Sequence, residues 1–372
     1  MQKIWLSLSG ALLVGFSAIG QQALPVELGL LPGDLDGASG LEYIGPNSLW
    51  SHSDNNSGPE IFEIDETGVI QRTITIGNAT ARDFEDMTQD NVGNLYIGDF
   101  GNEFNDRTDL KIYKIPPPSQ IMGNTVQAEE IEFLLPDQTQ FPPPKGEENF
   151  DIESMIHFNG SLYLFTRDRG LDLRTKVYRL PDTPGQHAAT LMGSFKTTIQ
   201  IAGADISPDG ETLVLISNTG FWVFYDFVGN DFFGGSHTSI NWPFTQKEGV
   251  VFSDNETLFI VDNREVNPTH GKLYRLSIPN LVSSVAAQPS VAATALDVFP
   301  NPSNGAVQFQ SPTMTGDWTL SIFGLTGNLV STQTGSGPIQ SDWNSDNAAK
   351  GVYFYQLNAE GILPQTGKFV VQ

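Results

Sequence analysis

Five carboxylates recur along the chain, each at the start of a short apolar segment: Glu42, Glu85, Glu153, Asp205 and Glu248. Carboxylates gathered in one place repel one another, so they become protonated, pair with cations, accept hydrogen bonds or bind a metal ion. Calcium suits such a set, because it takes roughly six to eight oxygen ligands. The five acids are therefore candidate metal ligands for calcium. The alternative is that they bond to backbone amides of a neighbouring repeat or pair with Arg82, Arg167 and Lys247.

A histidine and three arginines could add to this chemistry. His52 and Glu42 are a candidate general base and catalytic carboxylate. Arg107, Arg167 and Arg169 are candidate ligand-binding residues, because a guanidinium can hold a phosphate or a sugar acid through two hydrogen bonds. Salt bridges within the acidic loops are the competing interpretation for these arginines. The chain has no Gly-x-Ser-x-Gly elbow, phosphate-binding Walker loop or cysteine nucleophile, which excludes those catalytic classes.

The five acids open five copies of a repeated unit between residues 23 and 279. A second apolar segment begins seven to ten residues after each acid, at Leu49, Leu95, Leu162, Leu213 and Leu258. A third segment alternates charged and apolar residues, which is typical of a half-buried strand. Units one to four have a candidate fourth strand at residues 69–76, 130–135, 189–195 and 238–242. The fifth unit has none, but residues 25–31 form a spare candidate strand before the first unit.

These units predict an all-β fold, a five-bladed β-propeller over residues 23–279. We expect residues 25–31 to pair with residues 272–278, because this pairing closes the ring and removes an exposed sheet edge. A sixth blade within residues 120–149 is one alternative, and an open solenoid is another. In a propeller the first strand of each blade lines a central funnel, where the five acids would lie.

The two ends of the chain have their own patterns. Lys3, the apolar residues 4–19 and the small residues Ala18 and Gly20 predict a signal peptide over residues 1–20. No later segment is long and apolar enough to predict a transmembrane helix. Residues 280–293 are small and uncharged, which predicts a flexible linker. Alternating segments at residues 307–309, 320–323, 352–357 and 369–371 predict a small β-sandwich within residues 294–372.

The composition limits the classes of partner. The formal net charge is −24, so the surface repels nucleic acid and anionic membranes and favours cations or neutral ligands. The chain has no cysteine, so an exported form must depend on its core or on bound ions for stability.

The last residues resemble a known sorting signal. Phe299-Pro-Asn-Pro302, the run from Leu320 to Val330, Gly351-Val-Tyr-Phe-Tyr355 and Lys368-Phe-Val-Val371 stand in the order of the C-terminal sorting domain of the type IX secretion system. This resemblance implies export through the periplasm and outer membrane, with residues 294–372 recognised by the secretion machinery. It also implies removal of the tail, followed by release or attachment to a surface glycolipid. An accessory β-domain that binds carbohydrate is the alternative.

The repeats are similar to NHL-like propellers, and closer to secreted propellers described as having phytase-like esterase activity. The segments that carry this likeness begin at Ser39, Asp83, Gly93 and Phe150. Lactonase propellers are a more distant resemblance; their calcium site uses a first-strand glutamate, a role that Glu42 fits. The sequence thus predicts an exported binding or scaffold module for an unknown extracellular ligand. The alternative is a calcium-dependent phosphoesterase or lactonase with its site in the funnel.

Overall fold

The computed structural model describes residues 25–372 except 55–57, 171, 198, 243–244, 264–270, 279–295, 313, 315, 325–328, 345–348 and 360–364. The predicted signal peptide and linker lie outside the described residues. The described part is all-β, with two short 3-10 turns at Gly33–Leu35 and Pro118–Gln120 and no α-helix. No helix in this part of the chain is long and apolar enough to cross a membrane.

Strands between residues 26 and 277 form five sheets. The first described strand is β1 (Val26–Leu30). The first sheet then forms from β2 (Ala38–Gly45), β3 (Ser48–Ser53), β4 (Glu60–Ile64) and β5 (Ile70–Ile76). The second sheet follows as β6 (Phe84–Gln89), β7 (Leu95–Asp99), β8 (Lys111–Ile115) and β10 (Glu129–Leu134). Strand β9 (Thr125–Val126) precedes β10 in the chain but belongs to the first sheet. Residues 120–149 supply β9 and β10 to these sheets and form no described sheet of their own.

The remaining three sheets repeat the pattern. The third contains β11 (Asp151–Phe158), β12 (Ser161–Arg167), β13 (Arg174–Pro181) and β15 (Thr190–Lys196). Strand β14 (Gly185–Ala188) precedes β15 in the chain but belongs to the second sheet. The fourth contains β16 (Ile201–Ile206), β17 (Leu213–Ser217), β18 (Gly220–Tyr225) and β19 (Ser236–Asn241). The fifth contains β20 (Lys247–Phe252), β21 (Thr257–Asp262) and β22 (Lys272–Ser277).

The fifth sheet takes its fourth strand from the start of the chain. Strand β1 pairs antiparallel with β22, with Val26 opposite Arg275 and Leu30 opposite Lys272. The predicted pairing of these two segments is therefore confirmed. Two short strands extend other sheets in a similar way, because β9 pairs with β5 and β14 pairs with β10, both in parallel.

The first strand of each sheet is its inner strand. Strand β2 contacts β6, β6 contacts β11, β11 contacts β16, β16 contacts β20, and β20 contacts β2. The five inner strands thus follow one another around a ring. Apolar side chains fill the space between adjacent sheets; Trp50, Ile74, Phe84 and Met87 do so between the first and second. Burial of such surface between sheets is the main stabilising contribution of this architecture.

The tail forms two further sheets. One contains β23 (Asp297–Phe299), β24 (Ala306–Ser311) and β27 (Ile339–Asn344). The other contains β25 (Asp317–Phe323), β26 (Leu329–Ser336), β28 (Gly351–Ala359) and β29 (Gln365–Val371). Phe309 and Trp343 of the first share one core with Leu320 and Phe369 of the second, as in a small β-sandwich.

Candidate functional site at the inner strands

Every inner strand contains a β-bulge near its start. At each of these bulges one residue has no partner on the next strand of its sheet: Gly40, Glu85, Glu153, Ala202 and Glu248. Strand β2 has a second irregularity at Ile44. A bulge redirects the side chains that follow it. The five predicted acids consequently occupy two kinds of position rather than one.

Three of the acids are the bulged residues themselves, Glu85, Glu153 and Glu248, which we call the bulge acids. The other two lie beyond their bulges, where Glu42 faces Trp50 and Asp205 faces Val214. Trp50 is the third residue of β3 (Ser48–Ser53) and Val214 the second of β17 (Leu213–Ser217), and Glu42 and Asp205 lie two and three residues beyond their bulges.

Glu42, Asp205 and Asp86 link neighbouring sheets, and we call them the bridging acids. The backbone N–H of Met155 in the third sheet donates to Asp86 Oδ2 at 2.7 Å. The backbone N–H of Phe252 in the fifth sheet donates to Asp205 Oδ2 at 2.6 Å. Gln89 Nε2 in the second sheet donates to Glu42 Oε1 at 2.9 Å. Each bridging acid thus bonds to the sheet that follows its own.

Burial and mutual repulsion act on the bridging acids together. Burial, then the charge of Asp205, raises the pKa of Glu42 well above its usual range. Burial likewise raises the pKa of Asp86, although the N–H groups of Met155 and Met87 oppose the shift. Burial raises the pKa of Asp205 to about 7. None of the three has a salt-bridge partner among the described residues, so protonation is the available means of reducing their repulsion.

The bulge acid Glu153 is neutralised by two of the predicted ligand-binding arginines. Arg167 Nη1 lies 3.1 Å from Glu153 Oε2, and Arg169 Nη2 lies 2.8 Å from Glu153 Oε1. Arg169 Nε also lies 2.6 Å from Asp151 Oδ2. Burial alone would raise the pKa of Glu153, but the two guanidinium groups hold it below its usual range. The structure therefore brings Arg167 and Arg169 together, and both form salt bridges with Glu153.

Arg107 lies in a different, buried network. Its side chain is only 4% exposed, and its Nη2 and Nε atoms lie 3.0 Å from carboxylate oxygens of Asp99 and Asp109. It also donates to the backbone oxygen of Gly101 at 2.8 Å. These bonds fix the loop that follows β7 and leave little of the guanidinium surface for a ligand.

His52 is enclosed between the first and second sheets. It is 0% exposed, and its ring lies edge-on to Phe84 with centroids 5.5 Å apart. Neither ring nitrogen has a hydrogen-bond partner in the described structure. Burial lowers its pKa to about 3, a shift that the backbone of Asp86 opposes. A neutral, enclosed imidazole of this kind is not placed to exchange protons with a substrate.

The carboxylate of Glu85 has neither a hydrogen bond nor an ion pair within the described residues. Burial and the charges of Glu153 and Asp83 raise its pKa well above the usual range. Glu85 Oε1 and Asp83 Oδ2 converge over Gly101, where a methyl group on the glycine would collide with both oxygens. Burial also raises the pKa of Asp83 to about 6.

Sequence reasoning missed Asp83, Asp86 and Asp151 as site residues, although each neighbours a predicted glutamate. The clustering of acids around Glu85 and Glu153 was the available signal. It also missed the burial of Lys247, which is 0% exposed and donates from Nζ to the backbone oxygen of Asn218 at 3.1 Å. Within the described residues no three Asp, Glu, His or Cys side chains form a group that could hold a metal ion.

Comparison with known proteins adds one firm result. Residues 297–372 match the family described as "Secretion system C-terminal sorting domain". The predicted type IX sorting domain is thereby supported, and the protein is exported to the cell surface or secreted. No curated protein matches the sequence.

Two solved structures show distant likeness. Hydrazine synthase of Kuenenia stuttgartiensis is 13% identical with a TM-score of 0.33, over 76% of this chain and 64% of that one. The chain therefore spans less than two thirds of that protein. A structure assigned to a gluconolactonase is 12% identical with a TM-score of 0.36, over 69% of this chain and 92% of that one. At these values neither match bears on activity.

Proposed function

We propose that residues 23–279 form a five-bladed β-propeller that acts outside the cell as a binding or scaffold module. The type IX machinery delivers it by recognising residues 294–372. Five sheets, a ring of five contacting inner strands and the pairing of β1 with β22 support this blade count.

The observation that carries the scaffold role is the bonding of the bridging acids. Asp86 and Asp205 each accept a backbone N–H from the following sheet, and Glu42 accepts a side-chain amide from it. Carboxylates used in this way stabilise the ring and are not available to a substrate. His52, the expected general base beside Glu42, is enclosed as well. An extracellular ligand would then bind to the loops and outer surfaces of the blades.

An activity screen on the purified chain tests this role. We expect p-nitrophenyl acetate, p-nitrophenyl phosphate and γ-butyrolactone to be hydrolysed no faster than in buffer. A rate above buffer that falls in Glu42→Gln, but not in the control Glu63→Gln, would contradict the scaffold role.

A calcium-dependent hydrolase is the second candidate, and the free carboxylate of Glu85 favours it. Asp83 Oδ2 and Glu85 Oε1 converge over Gly101, and neither carboxylate forms a salt bridge within the described residues. Both would hold the ion, and backbone oxygens or water would complete its shell, as calcium sites allow. When bound, calcium would polarise an ester or lactone carbonyl. Glu153 is less suited, because Arg167 and Arg169 already neutralise it.

Thermal melts with calcium and with chelator test this candidate. A ligand present at about 100 times its Kd stabilises a protein by roughly 2.7 kcal/mol. If Glu85 binds calcium, chelator lowers the melting temperature of the parent, and Glu85→Gln removes that difference. Glu60→Gln serves as the control and keeps the difference. Identical melts of the parent in calcium and in chelator would exclude the calcium site.

A further inference from the structure

The two ends of the sorting domain meet in the fold. The segment that follows β23, residues 300–303, runs beside β29, which is an edge strand of the four-stranded tail sheet. We call this segment the arm. Its last residue, Ser303, forms an isolated parallel bridge with Val371 of β29. The start and the end of the matched region, residues 297–372, are therefore held against each other.

The side chain of Asn301 takes the place of a neighbouring strand. Its Nδ2 donates to the backbone oxygen of Lys368 at 3.3 Å, and the backbone N–H of Val370 donates to its Oδ1 at 3.0 Å. The backbone of Ser303 continues this pattern, because its N–H donates to Val370 O at 2.8 Å and its oxygen accepts from Gln372 N at 2.9 Å. Four successive backbone groups at the end of the chain thus have partners in the arm.

The last strand needs this support because it pairs with one strand of its sheet, β28. Strands at the end of a chain fray unless other groups tie them down. The register of β29 also matters, since Phe369 and Val371 lie in the tail core and a slip of one residue would turn them outward. An amide side chain has both a donor and an acceptor, so Asn301 can oppose fraying and slippage at once.

We propose that Asn301 is a positioning residue for export, which holds the last strand in the register that the secretion machinery recognises. The proposal rests on the sorting role of residues 294–372. Asn301 belongs to the segment Phe299-Pro-Asn-Pro302, and its partners belong to Lys368-Phe-Val-Val371. Two of the segments that resemble the sorting signal therefore act as one unit, in which the first fixes the position of the second.

Surface display of the full chain, in a host with an intact type IX system, tests the proposal. Asn301→Ala should lose surface display and remain in the periplasm, as measured by fractionation and protease accessibility. Asn304→Ala is the matched control, because Asn304 is exposed and has no hydrogen bond to β29 in the described structure. The chain without residues 294–372 is the second reference. Its display would refute the sorting role itself, so this failure is distinct from normal display of Asn301→Ala alone.

Hydrogen exchange and a stability control separate positioning from a general loss of folding. In the purified full chain, Asn301→Ala should speed exchange of the Val370 N–H about tenfold, because that amide loses its acceptor. Val307→Ala removes core volume from the other tail sheet and should lower the melting temperature of the tail at least as much. It leaves the bonds of Asn301 in place, so its surface display should match that of the parent.

A second substitution keeps the test independent of folding in the alanine variant. Asn301→Asp has the same size and still accepts from Val370, but it cannot donate to Lys368 O. We expect its display to fall below that of the parent. Normal display of both Asn301 variants, unchanged exchange of Val370 in Asn301→Ala, or an equal loss of display in Val307→Ala would overturn the proposal.

Discussion

Asp86 illustrates how an acid can be stabilised inside this repeat fold. Its Oδ1 accepts the N–H of Met87 and its Oδ2 accepts the N–H of Met155, so one side chain satisfies two buried donors in two sheets. The same acid is 1% exposed and has no cation beside it among the described residues. Asp86 therefore stabilises the fold through its hydrogen bonds. Burial of the charged carboxylate costs desolvation free energy, and protonation reduces that cost.

Asp205 should make stability depend on pH. Burial raises its folded pKa to about 7, whereas an unfolded aspartate titrates near ~4. Between these values the folded form keeps its proton and the unfolded form loses it, so stability falls as pH rises from about 4 to about 7. We expect urea unfolding to show about 2 kcal/mol more stability at pH 5 than at pH 8, with Asp205→Asn reducing that difference. An equal pH dependence in parent and variant would refute this assignment.

The salt bridges of Arg169 and Arg174 should differ in how much they contribute to the free energy of unfolding. Arg169 contacts Asp151 and Glu153, whose side chains are 1% and 3% exposed, whereas Arg174 pairs with Asp172, which is 58% exposed. Arg169→Met leaves buried carboxylates uncompensated and should cost about 3 kcal/mol. Arg174→Met, the matched control, should leave the free energy of unfolding close to that of the parent, because solvent screens the exposed pair. If urea unfolding gives equal losses of stability for the two variants, burial does not determine how much these salt bridges contribute.

Strand elements were more predictable from the sequence than residue positions. Alternation of charged and apolar residues identified β4, β8, β13 and β22, and the spare segment before the first unit proved to be β1. The bulges were not predictable, because a single extra residue leaves no trace in a short apolar pattern. For this reason the sequence pattern places Glu42 and Asp205 at the same strand position as the bulge acids, although the structure separates them. The tail strand β26 was missed because Leu329–Ser336 is mostly polar and exposed.

Strand β1 should be needed for the fifth sheet. Deleting residues 21–31 removes the partner of β22 and exposes a sheet edge, together with apolar side chains that pack in one cluster with Leu31, such as Leu35 and Leu273. We expect the melting temperature to fall by more than about 10 °C on the scaling for domains of this size. Glu27→Gln removes only the partly exposed pair with Lys272 and should change it by less than about 2 °C. A deletion variant that melts with the parent would exclude closure by β1.

At the scale of the whole molecule, the sorting domain and the ring of sheets lie in different parts of the sequence. The sorting match covers residues 297–372, while the ring of sheets ends with β22 at Ser277. Removing residues 294–372 should leave the ring folded but hold the protein in the periplasm, because the secretion machinery would have no signal to recognise. Fractionation and surface protease accessibility measure this, with the full chain as the reference. Surface display of the shortened chain would contradict the sorting assignment.

Urea unfolding of Asp86→Ala, in parallel with and without chelator, tests the central claim that acids bridge the sheets as structural groups. The substitution leaves the N–H groups of Met87 and Met155 without their acceptors. The scaffold role predicts a loss of about 3 kcal/mol that is the same in calcium and in chelator. A variant as stable as the parent, combined with a parent that chelator destabilises, would show that bound metal rather than bridging hydrogen bonds holds the ring together.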